Sequence, residues 1–245
     1  MNKIKLIALD MDGTLLHDNG EVSNYTKQVI QRALQQDVKV VLSTGRPLPM
    51  CSSYAEQLQL TSYIITSNGA EVWTRENELL ERHIMDPGLI EFLWELGNKH
   101  QFHMWYVAAD NLFVDKNKPD NFFHYDWLKF GYGDLDESAK QFILSQLEGK
   151  RNIEITNSSP TNIEINKKGV NKASAIKSVC KQIGISMNEV MAVGDSLNDL
   201  KMIEQVGLGI AVANAQEVIL DSADFVTDSN NDDGVAKAIE RFVLA

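Results

Sequence analysis

Short apolar runs recur along this chain, and each of the first ones stops at residues able to do chemistry. Lys3–Leu9 stops at Asp10-Met11-Asp12-Gly13-Thr14. Val38–Leu42 stops at Ser43-Thr44-Gly45-Arg46-Pro47, and Tyr63–Thr66 at Ser67-Asn68-Gly69. Runs this short, rich in Ile, Leu and Val, predict buried strands. Between the first two, Ser23 is a candidate N-cap, and Val29, Ile30, Ala33 and Leu34 recur at helical spacing. A second helix is predicted from about Pro47 to Leu58. Strand, helix, strand, helix, strand implies right-handed crossovers and a parallel sheet. The rhythm returns late in the chain. Asn171 can cap a helix running to Gln182 that ends at Gly184, and Val190–Val193 is a strand ending at Gly194-Asp195. Leu208–Val212 and Phe225–Thr227 are further strands. The predicted fold class is α/β, with a Rossmann-like parallel sheet at its core.

The middle of the chain follows a different pattern. Glu71–Arg82 predicts a hairpin around Glu76-Asn77, and residues 87–100 a helix. Phe102–Val107 and Leu112–Asp115 alternate like paired strands. Lys116–Asp134 has no regular pattern. A helix (Glu137–Leu147) and two strands (Ile153–Thr156 and Asn162–Ile165) follow. This order predicts an inserted α+β cap with an antiparallel sheet. The expected division is a core of 1–82 and 167–245 and a cap of 83–166.

Charge narrows the partners. The chain has 34 acidic and 23 basic residues, for a net charge of −11. Nucleic acids and anionic membranes need a basic footprint, so neither is an expected partner. The insert is acidic too, with 14 acidic and 8 basic residues between 81 and 166. A small anion held by local charges stays possible. No apolar stretch approaches the ~20 residues of a membrane helix. The apolar run after Lys5 lasts four residues, too short for a signal peptide. Cys51 and Cys180 lie far apart with no CxxC pattern, which fits a reducing compartment. The expectation is a cytoplasmic monomer or weak homodimer.

Asp10 and Asp12 fall at the carboxyl end of the first strand, where open α/β sheets bind ligands. On an extended backbone the two carboxylates would point in similar directions. Like charges that close need a cation between them or a shared proton, and Mg²⁺ suits such a site. A carboxylate is also a possible nucleophile; the plain alternative is a strand-ending Asx-turn. Asp195 offers a third carboxylate if its strand is a neighbour, and is otherwise an N-cap. Thr44 and Gly45 make either an anion cradle or an ordinary helix entry. Lys172 sits in a first helical turn, where the macrodipole disfavours cations. A phosphate would explain it, and so would plain solvent exposure. Arg46 either reaches substrate or cap, or pairs with a surface carboxylate. Asn68 either meets a leaving group or only makes its turn.

Acid pair, hydroxyl, lysine and a second acid cluster in this order resemble the haloacid dehalogenase-like superfamily, and within it the Cof-like phosphatases. The residues that carry the resemblance are Asp10-Met11-Asp12-Gly13-Thr14, Thr44-Gly45-Arg46, Ser67-Asn68-Gly69-Ala70, Lys172 and Gly194-Asp195-Ser196-Leu197-Asn198-Asp199. It covers the whole predicted core, and the insert sits where that family carries its type IIB cap. The resemblance implies that Asp10 attacks phosphorus and that Asp12 serves as general acid, then base. It implies Mg²⁺ held by the Asp10 side chain, the Asp12 backbone carbonyl and Asp195. Phosphate would be held by the Met11 and Gly13 amides, Thr44, Gly45, Lys172 and Asn198. Asp199 would position Lys172 or a metal-bound water. The implied reaction is hydrolysis of small phosphorylated metabolites, sugar phosphates first. A phosphomutase or phosphotransferase would use the same intermediate, and a phospho-signalling protein the same residue types.

Ten of the chain's 19 aromatic residues fall within 102–132. They form either a stacking wall for a substrate ring or the core of a small cap, and the core reading is favoured. His103 and His124 lie among them without metal-ligand spacing. The irregular segment 117–132 is the candidate specificity loop.

Overall fold

Among the described residues, 3–245 of the computed structural model, the chain forms thirteen strands and eight α-helices. It divides into two compact units. One comprises the residues up to Glu81 together with Asn171–Ala245, and the other is Arg82–Val170. The return crossing falls four residues later than the sequence places it. Lys168 N donates to Asn152 O and Gly169 N to the Glu154 carboxylate, which keeps both residues with the insert.

The core unit is built on β1 (Leu6–Leu9), β2 (Lys39–Ser43), β3 (Ile64–Thr66), β4 (Glu71–Trp73), β5 (Leu79–Arg82), β11 (Val190–Gly194), β12 (Leu208–Ala211) and β13 (Phe225–Val226). Their order across the sheet is β13-β12-β11-β1-β2-β3-β4-β5. The pairs from β13 to β3 are parallel, and β3–β4 is antiparallel. All four residues of β1 are buried. Its side chains alternate, Ile7 and Leu9 into one apolar layer and Leu6 and Ala8 into the other. A strand buried on both faces explains the unbroken apolar run. The chain moves from β1 to β2 on one side and comes back to β11 on the other. β1 therefore lies at the switch point of the sheet, where a crevice opens at the carboxyl ends of the strands.

Helix α1 (Asn24–Gln35) begins at Ser23, whose side chain accepts from Thr26 N, and buries Val29, Ile30 and Ala33. The helix expected over 47–58 is shorter. Leu48–Met50 is a single 3-10 turn, and α2 covers Ser52–Gln57. The break between them is at Cys51, whose φ of −129° leaves the helical region.

The insert carries β6 (His103–Ala108), β7 (Leu112–Val114), β8 (Trp127–Gly133), β9 (Ile153–Thr156) and β10 (Ile163–Lys167), ordered β7-β6-β8-β10-β9 and antiparallel. Helices α3 (Pro87–His100) and α4 (Glu137–Leu147) bury Leu93, Leu96, Ile143 and Leu147 against Tyr106, Phe130, Tyr132 and Ile165. Most of the clustered aromatics are thus core, as favoured; Phe123, 65% exposed, and the half-buried Trp105 lie outside it. His103 pairs with Asp115 at 2.7 Å, and His124 lies 3.8 Å from Asp120.

Strand β8 corrects the sequence reading, which treats 117–132 as one irregular specificity loop. All seven residues of Trp127–Gly133 are buried in the middle of the sheet. A lysine and two glycines hide the pattern. Lys129 is compensated by Glu164 at 2.8 Å, each side chain only 4% exposed. Gly131 and Gly133 make room for Trp105, since a Cβ on Gly131 would lie 2.3 Å from the indole. No helix among the described residues is long and apolar enough to cross a membrane. Gly131→Ala is expected to overpack this site and to cost about 1–3 kcal/mol of stability. Thermal unfolding checks it, and an unchanged melting temperature would contradict the close contact.

Candidate active site

The site starts where β1 ends. Asp10 N donates to Val193 O at 3.1 Å, which fixes Asp10 beside β11. Beyond it, Met11–Leu15 closes one wide helical turn, with Leu16 N donating to Met11 O. Two residues inside this turn are not helical, Asp12 (φ −74°, ψ 122°) and Gly13 (φ 76°, ψ −3°). The helical turn that begins at Met11 bends the chain between the two aspartates, and their side chains part. This corrects the expectation of a parallel pair. Asp10 is buried, while the Asp12 side chain is 58% exposed. Each finds its own cation.

Asp10 meets Lys172. The Lys172 ammonium donates to Asp10 Oδ1 at 2.5 Å and to Asp199 Oδ1 at 2.6 Å, and its side chain has no solvent exposure. Lys172 opens α5 (Lys172–Ile183), which Asn171 caps by accepting from Ser174 N. Two buried carboxylates explain a cation at this helix start. Asp199 uses its other oxygen as well, Oδ2 accepting from the amides of Asp195 (3.0 Å) and Ser196 (3.2 Å). Asp195 accepts from Thr14 Oγ1 at 3.0 Å and Ser196 Oγ at 2.6 Å. Thr14 and Ser196 are missing from the sequence reading as site residues, although both lie inside the quoted motifs.

Close approach demands glycine at three positions. A Cβ on Gly13 would stand 2.8 Å from Asp195 Oδ2, and one on Gly194 would stand 2.5 Å from Asp199 Cβ. Gly69, at φ +93°, passes under the carbonyl of Asn171, where a Cβ would be 2.3 Å from the oxygen. That contact seats the turn after β3 against the start of α5.

Oxygens of Asp10, Asp195 and Asp199 all lie within 4.8 Å of one another. Burial and the Asp199 charge raise Asp10 well above the usual carboxylate range, against the pull of Lys172. Burial and Asp199 likewise raise Asp195 to about 6. Burial opposes the charged form of Lys172, but Asp10 and Asp199 hold the ammonium above its ordinary value. Three acids thus share one ammonium. A hard divalent cation fits this deficit and this all-oxygen donor set.

Asp12 meets Arg46. Arg46 Nη2 donates to Asp12 Oδ1 at 2.5 Å and Nε to Oδ2 at 2.8 Å, a two-pronged pair. The neighbouring loop is tied closely. Thr44 Oγ1 accepts from Arg46 N, Thr44 O from Asn68 N, and Arg46 O from Ser67 N. Gly45 lies within it. Asn68 adopts a left-handed conformation (φ 59°) and accepts from Asn198 Nδ2 at 3.3 Å. Asn198 Oδ1 is buried with no hydrogen-bond partner. Gly13 O accepts from Asn214 Nδ2 at 2.8 Å, a support that no sequence motif points to.

A family profile for haloacid dehalogenase-like hydrolases matches residues 7–141 and 119–239. The chain belongs to this family. The 5-amino-6-(5-phospho-D-ribitylamino)uracil phosphatase YcsE of Bacillus subtilis is 45% identical over 241 residues, covering 98% of this chain and 96% of that protein. Among solved structures, a haloacid dehalogenase-like hydrolase from B. subtilis superposes with a TM-score of 0.90 at 24% identity, covering 97% of this chain and 99% of that one. The subclass IIB sugar phosphatase BT4131 superposes at 0.85 and 22%, covering 98% of this chain and all of that one. This haloacid dehalogenase-like chain is a phosphatase of the Cof-like type, with a parallel core and an antiparallel cap. Phosphorylated small-molecule substrates fit its phosphatase relatives.

Removing the shared ammonium would leave two buried acids face to face. Lys172→Met is expected to lower stability by about 3–5 kcal/mol at pH 7, read by chemical denaturation. A loss near zero would contradict the buried pair.

Proposed function

We propose that the protein hydrolyses phosphate monoesters in a Mg²⁺-dependent reaction through an aspartyl-phosphate on Asp10. The single observation that carries this reading is the carboxylate set beyond β1 and β11, three acids within 4.8 Å of one another, two of them bonded to the buried Lys172. An isolated cluster of this kind is electrostatically short of positive charge, and a divalent cation with a phosphoryl group completes it.

The side chains of Asp10 and Asp195 and the Asp12 backbone carbonyl would hold Mg²⁺. When bound, the ion neutralises charge on the phosphoryl oxygens. The remaining work falls to the chain itself. Lys172 engages Asp10 Oδ1, so Oδ2 is the oxygen for attack on phosphorus. As that bond forms, the phosphorus–alkoxide bond breaks, and Asp12 gives its proton to the leaving oxygen. Asp12 then removes a proton from water, which attacks phosphorus, releases phosphate and regenerates the Asp10 carboxylate. The Met11 and Gly13 amides, Thr44, Gly45, Lys172 and Asn198 hold the phosphate. Phosphoryl transfer needs this positioning and charge neutralisation above all. Asp199 holds Lys172 in place, and Asn68 holds Asn198.

For substrate, we propose a phosphorylated sugar-like chain, with 5-amino-6-(5-phospho-D-ribitylamino)uracil first. The 45% identity to a phosphatase of that name runs through 98% of this chain, insert included. A ribityl phosphate has an alkoxide leaving group, which needs the general acid that Asp12 supplies. The insert is proposed to select among phosphate esters, and the cytoplasm to be the setting, consistent with two free buried cysteines.

Phosphate release from a panel of esters tests the reading. The ribitylaminouracil ester should turn over steadily with Mg²⁺ and faster than hexose phosphates, and EDTA should stop it. Asp10→Asn should show no turnover. Wild-type rates in Asp10→Asn would remove the nucleophile assignment, and equal rates across the panel would remove the substrate.

A further inference from the structure

We infer that Arg46 is a positioning residue that holds the Asp12 carboxylate for proton transfer, rather than a substrate contact. The inference rests on the roles proposed above for Asp10 and Asp12, and it is carried by the geometry around the guanidinium. Two donors of Arg46 meet the two oxygens of Asp12. A fork on a carboxylate fixes the plane of the acid as well as its place. Each carboxylate oxygen keeps a further lone pair for a proton, so the fork does not block the chemistry.

Arg46 is anchored independently of Asp12. Its Nη1 donates to Met50 O at 3.3 Å, and its guanidinium lies 5.6 Å from the centre of the Tyr54 ring. Tyr54 is fixed in turn, its hydroxyl donating to Gly20 O at 2.9 Å. The backbone N–H of Arg46 donates to Thr44 Oγ1. The arginine side chain is 23% exposed and its partner acid 58%. The anchored member is therefore the arginine. Asp12 sits on a turn that releases its side chain toward solvent, and without a partner that side chain would sample several rotamers. A misplacement of about 1 Å can cost roughly 100-fold in rate.

The second half of the reaction separates this role from substrate contact. When water attacks the phosphorylated Asp10, the alcohol has already left. An arginine that only bound the alcohol would have nothing to do in that step. An arginine that holds Asp12 would still matter, because Asp12 must take the proton from water while the bond between phosphorus and the Asp10 oxygen breaks.

The test uses the full chain with Mg²⁺ and p-nitrophenyl phosphate, whose leaving group needs no acid. Wild type, Arg46→Ala, Arg46→Lys and Asp12→Asn are compared for kcat, KM and covalent phosphate trapped by acid quench. Loss of an exposed ion pair changes stability little, so Arg46→Ala should melt near wild type. Its kcat should fall about 10- to 100-fold, with KM falling in step and kcat/KM held. Hydroxylamine-sensitive phosphate should build up on the protein. Arg46→Lys keeps the charge without the fork and should resemble Arg46→Ala more than wild type. Unchanged kcat in Arg46→Ala, or a loss confined to kcat/KM with no trapped phosphate, would overturn the inference. If Asp12→Asn traps phosphate and Arg46→Ala does not, the inference fails alone. If Asp12→Asn traps none either, the Asp10 assignment fails and takes the inference with it.

Discussion

The rest of the site depends on one ammonium in a dry place. Lys172 has no exposure and bridges Asp10 on the β1 end to Asp199 in the loop after β11. Those two loops flank the switch point of the sheet, and the helix that carries Lys172 closes over it. Each partner is then fixed from behind: Asp10 by Val193 O, Asp199 by the two amides it accepts, and the helix start by Gly69 beneath Asn171. A buried charge tolerates little freedom, because leaving any member unpaired is costly. The glycines that permit these approaches are therefore part of the electrostatics.

The same arrangement explains how a chain of net charge −11 handles an anion. Its overall field is unfavourable, but the local balance is what a phosphate meets. Asp195, raised to about 6, and Asp10, raised by burial and by Asp199, report unmet demand for positive charge. A divalent cation would meet that demand, and under the proposed mechanism backbone amides with Lys172 would receive the phosphoryl oxygens. The acid pair of the first motif is thus two separate devices. One is buried and paired with lysine, and the other is open and paired with arginine.

Much of this was legible in the sequence. Unbroken apolar runs marked β1, β2, β3 and β11, because strands buried on both faces leave no polar side. The order of Asp10, Lys172 and Asp195 marked residues that the fold brings together, because each follows a strand or opens a helix. What was hidden depends on tertiary neighbours. The turn that begins at Met11 parts Asp12 from Asp10, and no spacing rule shows where it goes. Arg46 reads as either a substrate or cap contact or the partner of a surface carboxylate until Asp12 stands 2.5 Å away. Strand β8 was hidden by Lys129, Gly131 and Gly133, whose reasons lie on other strands, in Glu164 and in Trp105.

The central claim is that the acids around Lys172 form a cation site whose demand is set by ionised Asp195. Mg²⁺-dependent thermal stabilisation, followed from pH 5 to pH 8, tests it directly. A carboxylate raised on folding costs the metal-free protein stability as pH climbs through its folded value, about 6 for Asp195. Metal binding relieves that cost and requires the ionised acid. The account predicts a Mg²⁺-induced rise in Tm that grows from pH 5 to pH 8 and is largely lost in Asp195→Asn. A rise of equal size at both pH values, or one that survives in Asp195→Asn, would contradict it.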